Sequence, residues 1–472
     1  MTASATSASC ASAAPASCST PFSPTGSPTA LATGGAPAGS TDPCVHCGFC
    51  LPTCASYLAL GTEMDSPRGR IHALKAIEAG ELALDATVAA HFDSCLGCFA
   101  CVSACPSGVR YDALLEATRP RLNTPEHRTP AQRAWRRLLF ALLPYPNRLR
   151  AALTALRGYA GSPLQAMARH SGLLRLAGPQ LRAMEQLLPP LTAESFRDDW
   201  PLVVPAQGER RARVGLVLGC VQRLFEPAVN QAVVQVLAAN GVEVVIPGNQ
   251  GCCGAVTHHQ GEEAHTGRLA EALITAFAGA VGPGRPAGPE PLDAVLVAAS
   301  GCGHTLKAYP RLVGRGFQAP VADVHEFLVE LGLSASFRLA LRPLPHADGT
   351  PASAERPLEV VFHDACHMIH GQGITAQPRD LLRAIPHLRL REPLEAGVCC
   401  GSAGIYNLLQ PEEAASLGER KAADLAGSGA TLVASANIGC SLQIRRHLQE
   451  RGQPLTVRHP IELLARSVHG QG

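Results

Sequence analysis

Two cysteine runs of identical spacing constrain this 472-residue chain more than any other feature. The first is Cys44-Val45-His46-Cys47-Gly48-Phe49-Cys50-Leu51-Pro52-Thr53-Cys54. The second is Cys95-Leu96-Gly97-Cys98-Phe99-Ala100-Cys101-Val102-Ser103-Ala104-Cys105, with Pro106 next. Both read C-x2-C-x2-C-x3-C. In this pattern three thiolates wrap one iron–sulfur cubane, and the fourth, on the following turn, points away and reaches the other cubane. The spacing therefore predicts two [4Fe-4S] clusters with crossed ligation. Cys44, Cys47, Cys50 and Cys105 hold one, and Cys95, Cys98, Cys101 and Cys54 hold the other. Pro106 redirects the chain after the last ligand. Phe49 and Phe99 read equally as shields against water and as packing of a small core. Zinc also takes four thiolates, but it favours paired CxxC units over four cysteines per run repeated twice.

The whole chain has 18 cysteines; eight lie in the two runs and four more in the adjacent pairs Cys252–Cys253 and Cys399–Cys400. Tight groups suit metal binding better than scattered disulfides. Residues 1–40 contain no Lys or Arg and no apolar signal core, so the expected compartment is a reducing cytoplasm. That segment is rich in Ser, Ala, Thr, Pro and Gly, and disorder is expected there, with Cys10 and Cys18 as free thiols. The net charge of +2 gives no basic field for nucleic acid. No run of 18 apolar residues predicts a membrane span.

Domain organisation follows from changes in pattern. Residues 41–120 read as a mainly helical ferredoxin-like domain. Residues 121–211 read as amphipathic, Arg-rich helices broken by prolines, a connector whose arginine face is solvated or lies on a membrane or partner. From 212 the apolar runs VGLVLGC, VEVVIP and AVLVAASGC alternate with helical stretches, which predicts α/β structure with a parallel sheet over 212–345. The same order of signals returns over 357–472 in LEVVFHDAC, GVCCGSAG and TLVASANIGC, an internal duplication.

Each half carries four more cysteines: Cys220, Cys252, Cys253 and Cys302, then Cys366, Cys399, Cys400 and Cys440. Several follow a predicted strand, where the loops of an open parallel sheet converge. Each foursome is a candidate for a further cluster or for zinc, set against buried cysteine acting as a small hydrophobe. His258, His259, His304, His363, His367 and His370 read as polar loop residues near these thiols, able to tune a cluster by hydrogen bonding.

The combination of CVHCGFCLPTC, SPRGRI, CLGCFACVSACPSGVRY, GCCGAV, ASGCG, CCGSAG and ANIGC resembles the iron–sulfur subunit of glycolate oxidase from about residue 41 to about 466. The resemblance implies an electron carrier with no catalytic residues of its own. FAD on a partner subunit oxidises glycolate to glyoxylate, and the electrons pass through this chain toward the quinone pool at the inner face of the membrane. Glycines in GPGRPAG near 282 are interrupted by prolines and make no flavin-binding fingerprint here. Subunits of lactate-utilisation systems, anaerobic glycerol-3-phosphate dehydrogenase and heterodisulfide reductase carry related motifs. The last of these adds a fifth cysteine in each CCG half, where this chain has Thr305 and Gln443. That departure argues against a thiol–disulfide enzyme. A zinc-stabilised interaction protein is the reading without redox chemistry.

Overall fold

In the N-terminal region, the absence of long β-branched runs leaves short helices to frame the cysteine loops. The computed structural model describes residues 40–453 and 455–470, so Cys10, Cys18 and the expected disorder of the tail lie outside the described residues. Helices Ala55–Leu60, Pro67–Glu78, Ala86–Asp93, Ala100–Ser103 and Tyr111–Thr118 follow one another, with no strand among the described residues up to 120. Ser66 starts the second of these by accepting a hydrogen bond from Gly69 N at 3.0 Å, with Pro67 at the first helical position.

The prolines of the next region likewise begin helices. Pro130–Leu142, Pro146–Thr154, Pro163–His170 and Pro179–Gln186 each open on one, where the missing N–H costs nothing. The arginine face of this region is not uniformly solvated. Arg136 is buried, pairs with Asp93 at 3.7 Å and donates to Gln260 Oε1 at 2.9 Å.

Two sheets follow. The first has strands β1 (Val203–Val204), β2 (Ala212–Val217), β3 (Val242–Val245), β4 (Ala294–Val297) and β5 (Val321–Asp323), in the order β1-β3-β2-β4-β5. Only β1 is antiparallel. The second has β6 (Leu358–His363), β7 (Leu388–Arg391), β8 (Leu432–Ser435) and β9 (Thr456–Arg458), all parallel, in the order β7-β6-β8-β9. The central strands β2, β4, β6 and β8 are almost wholly buried, as parallel strands covered on both faces must be. One apolar core runs through both sheets, from Val214 and Leu216 to Val360 and Phe362, and on to Ile461 and Leu464. Each such fully buried side chain contributes about 1.5–3 kcal/mol.

Specific polar contacts seat the N-terminal helices on the sheets. Glu116 accepts from His258 at 3.3 Å and from Arg311 at 3.1 Å. Burial alone would raise its pKa, but these two partners hold the carboxylate down at about 2. Asn123 donates to Gln260 O at 2.6 Å, Trp135 to Leu408 O at 3.1 Å, and Tyr406 to Ser94 O at 3.2 Å. Gly261 makes the closest approach. A Cβ there would stand 2.6 Å from the Arg119 carbonyl carbon and 2.7 Å from Pro120 N.

This approach yields a test. Gly261→Ala should destabilise the protein by roughly 1–3 kcal/mol more than Gly284→Ala in denaturant unfolding. Both glycines have positive φ (+73° and +70°), but Gly284 has open space around it. Equal effects would show that the close approach does not matter.

Candidate metal centres

The two cysteine runs fold into loops of matching shape. In the first, His46 and Gly48 take φ of 56° and 85°; in the second, Gly97 and Phe99, at the corresponding positions, take 64° and 62°. Left-handed backbone at a histidine and a phenylalanine is unfavourable by itself and marks sites where local geometry serves function. It turns the intervening cysteines toward a common point. Cys44, Cys47, Cys50, Cys101 and Cys105 line one cavity. Cys54, Cys95, Cys98 and Cys101 line another. Cys101 thus lies on both cavities, and the other seven cysteines lie on one each. The first opens outward, with Cys47 exposed, and the second lies deeper, with Cys54, Cys95 and Cys101 buried. Phe49 is 65% exposed and lines the first cavity, so it is not packed in a small core. Phe99 is buried, stacks on His367 with ring centroids 5.3 Å apart, and lies tilted against His304 at 5.4 Å.

Two arginines belong to this site, and sequence reasoning did not single them out, although SPRGR signalled one. Arg70 is buried beside Cys54 and Cys95. It donates to His91 O at 2.6 Å and to Ser94 Oγ at 2.7 Å, and it lies 3.6 Å from Asp65. Burial alone would lower its pKa, yet the surrounding anionic groups raise it, so the guanidinium stays charged. Arg119 donates to Cys95 O at 2.8 Å. Arg68, two residues before Arg70, bridges Glu63 at 2.6 Å and His46 O at 3.2 Å, which steadies the left-handed turn in the first loop. Fixed positive charge is what a cubane ligated by four thiolates requires, because its net charge is negative.

The α/β halves gather thiols in the same way as each other. Within each sheet the three adjacent strands β3-β2-β4 or β7-β6-β8 end on the cysteine loops, at the crevice beyond the carboxyl ends. Gly254 and Gly401, directly after the cysteine pairs, have φ of 80° and 85°. A side chain at Gly401 would meet Ala414 O at 2.6 Å, so glycine alone turns the chain there. Cys220, Cys252, Cys253 and Cys302 form a chain of thiols within hydrogen-bonding reach. Cys366, Cys399, Cys400 and Cys440 form another. Neighbouring thiols and burial raise the pKa of Cys220 and Cys366, so without a cation these thiols are neutral.

The halves differ in one candidate ligand. His363, at the end of β6, is buried with both ring nitrogens unpartnered. One of them lies within 4.8 Å of the Cys400 and Cys440 sulfurs. Burial lowers its pKa to about 3, which leaves the neutral imidazole that ligates metals. The corresponding end of β2 is Val217. The other histidines mostly have polar partners. His367 donates from Nε2 to Gly97 O at 2.8 Å, and His304 Nδ1 is 3.1 Å from Gly371 O.

The second α/β foursome adjoins the deeper N-terminal one. Cys98, Cys366 and Cys399 share a packed cluster with Leu96 and Tyr406. Cys366 and Cys399 also line a cavity of about 460 Å³ between the two halves and the connector helices. Among the described residues, no helix is long and apolar enough to cross a membrane.

Comparison with known proteins agrees with this layout. Residues 40–109 match a 4Fe-4S dicluster domain, 131–188 match the linker region of the glycolate oxidase iron-sulfur subunit, and 214–307 and 360–445 both match the cysteine-rich CCG domain. The chain is 34% identical over 434 residues to a probable glycolate oxidase iron-sulfur subunit of Bacillus subtilis, covering 89% of this chain and 92% of that protein. It is 30% identical over 426 residues to the glycolate oxidase iron-sulfur subunit of Escherichia coli, covering 90% and 93%. Lactate utilization protein A of an Exiguobacterium strain is 28% identical over 262 residues, covering 54% of this chain and 98% of that protein. With two such relatives aligned along nearly their whole length, and a linker specific to them between the cysteine loops and the sheets, this chain belongs to the glycolate oxidase iron-sulfur subunit family.

Proposed function

We propose that this chain is the electron-transfer subunit of a glycolate-oxidising complex. It receives electrons one at a time from FAD on a partner subunit that converts glycolate to glyoxylate, and it delivers them toward a quinone at the inner face of the membrane. The observation that carries this reading is the run of adjoining thiol foursomes, from an exposed one through a deeper one to a third in the second α/β half. Each cubane, when bound, stores and releases a single electron. Cys44, Cys47, Cys50 and Cys105 would hold the outer one, and Cys54, Cys95, Cys98 and Cys101 the inner one. The sixteen described cysteines are free thiols, which fits thiolate ligation.

The protein's own residues do the rest. The exposed Cys47 loop, flanked by exposed Val45 and Phe49, presents the outer centre to the flavin partner. Arg70 and Arg119 offset the negative charge of the inner centre and thereby favour its reduction. Cys366, Cys399, Cys400 and Cys440, with His363, form a further metal centre beside Cys98. The corresponding set, Cys220, Cys252, Cys253 and Cys302, has no histidine at the place of His363 and reads as a weaker second site for a cluster or zinc. We take 41–120, 121–211, 212–345 and 357–472 as the domains, the last two as a duplicated pair.

A lactate-oxidising complex is the alternative, because the substrate is chosen on the flavin partner. The complex that co-purifies anaerobically with this chain should reduce a redox dye with glycolate, and Cys44→Ser should abolish that activity. Dye reduction with lactate alone would move the chain to the alternative.

The fixed charge on Arg70 gives a second test. Arg70→Gln should lower the midpoint potential of the inner centre. One charge a few ångströms away is worth about 1–4 kcal/mol at an effective dielectric constant near 20, or roughly 40–170 mV for one electron. An unchanged potential in spectroelectrochemical titration would remove Arg70 from this role.

A further inference from the structure

The 460 Å³ cavity reaches well beyond the thiols on its wall, Cys220, Cys302, Cys366, Cys399 and Cys440, and its two walls differ in kind. One wall is apolar and comes from the connector, with Leu139, Leu142, Leu149 and Leu153 among its residues. The other comes from the cysteine loops of both α/β halves and includes Cys302, Cys366 and Cys399. Its volume is in the range of sites that enclose small organic ligands, about 300–1,000 Å³.

Three polar atoms on the cysteine side have no partner. Ser300 Oγ, Ser402 Oγ and His259 Nε2 are buried without a hydrogen bond among the described residues, and all three residues line the cavity. Ser300 and Ser402 are each 1% exposed. A buried, unsatisfied hydroxyl is costly and points to a ligand that completes it. The described lining contains no Lys or Arg, and its one acid is Glu185. An anion such as a 2-hydroxy acid or an anionic thiol coenzyme would find no counter-charge. An uncharged ligand with hydrogen-bond-accepting oxygens at one end and an apolar body suits both walls. The mouth adds a third indication. Leu138, Leu156 and Met184 both line the cavity and are exposed, and Leu164, Met167 and Leu181 are exposed on the same set of helices. An entrance rimmed by exposed apolar side chains fits a ligand arriving from an apolar phase.

We propose that this cavity is a lipid-quinone site, with the quinone oxygens at Ser300, Ser402 and His259 and the tail along the connector leucines. The assignment rests on the electron-transfer reading above and deepens it by placing the acceptor in this chain. Reduction forms no bond to protein. The quinone takes two electrons, supplied by two reduced [4Fe-4S] centres that each lose one, and two protons from water, giving the quinol. Cys366 and Cys399, which line the cavity and adjoin Cys98, place the terminal donor at its wall.

The test uses the full chain, assembled anaerobically, and an arylazido-quinone photolabel. Label should enter peptides from 138–159 and 399–409 and be competed by decylubiquinone but not by glycolate. Leu142→Trp, which fills the cavity, and the milder double variant Ser300→Ala/Ser402→Ala should each weaken competition by about tenfold. In the same samples, reoxidation of the dithionite-reduced chain by decylubiquinone should slow, while reoxidation by ferricyanide, which needs no site, should not. Labelling elsewhere, competition by glycolate, or quinone binding unchanged in both variants would overturn the site. If the wild-type chain labels as expected but ferricyanide reoxidises nothing, the electron-transfer reading fails instead.

Discussion

Crowded thiols in a low-dielectric setting organise this protein. A thiol buried among other thiols stays protonated, because the thiolate loses its hydration and meets like charge on every side. A metal reverses that balance, since a coordinating thiol is deprotonated outright. The sixteen described cysteines stand in four close groups, and burial with neighbouring thiols raises the pKa of Cys101, Cys220 and Cys366 among them. The left-handed turns at His46 and Phe99, and the tight turns at Gly254 and Gly401, are where the backbone makes that approach. Arg70 and Arg119 add the positive charge that a ligated centre would still need.

The architecture places these groups in sequence. Two α/β halves share one apolar core, and their cysteine loops all emerge beyond the carboxyl ends of the strands. The N-terminal helices dock across that end through Glu116, Asn123, Tyr406 and the close contact at Gly261. Docking sets Cys98 against Cys366 and Cys399. The connector then closes the remaining side with leucines. The proposed electron entry at an exposed loop and exit at an apolar cavity rest on that arrangement.

Much of this was legible in the sequence where the signal is local. The C-x2-C-x2-C-x3-C spacing limits which thiols can share a point, and all eight of those thiols line two cavities. The strands β2, β3, β4, β6 and β8 stood out as apolar runs because both sheet faces are covered. The strands β5, β7 and β9 did not. Leu388–Arg391 alternates leucine with arginine at a half-exposed edge, and the other two are only three residues long. The connector arginines looked solvated, yet Arg136 is buried because Asp93, more than forty residues earlier, meets it in space. His363 looked like a loop residue because its approach to Cys400 and Cys440 depends on the sheet order. The cavity was illegible for the same reason, since its walls come from the connector and both halves.

Crossed ligation by two adjoining foursomes is the claim on which the relay depends. Electron paramagnetic resonance of the dithionite-reduced chain tests it directly, comparing wild type with Cys44→Ala, Cys98→Ala and Cys54→Ala. The account predicts two interacting [4Fe-4S] signals in the wild type, and a residual spectrum in Cys54→Ala that matches Cys98→Ala, although Cys54 lies in the first run. A Cys54→Ala spectrum matching Cys44→Ala, or a wild-type chain with zinc and no cluster signal, would contradict it.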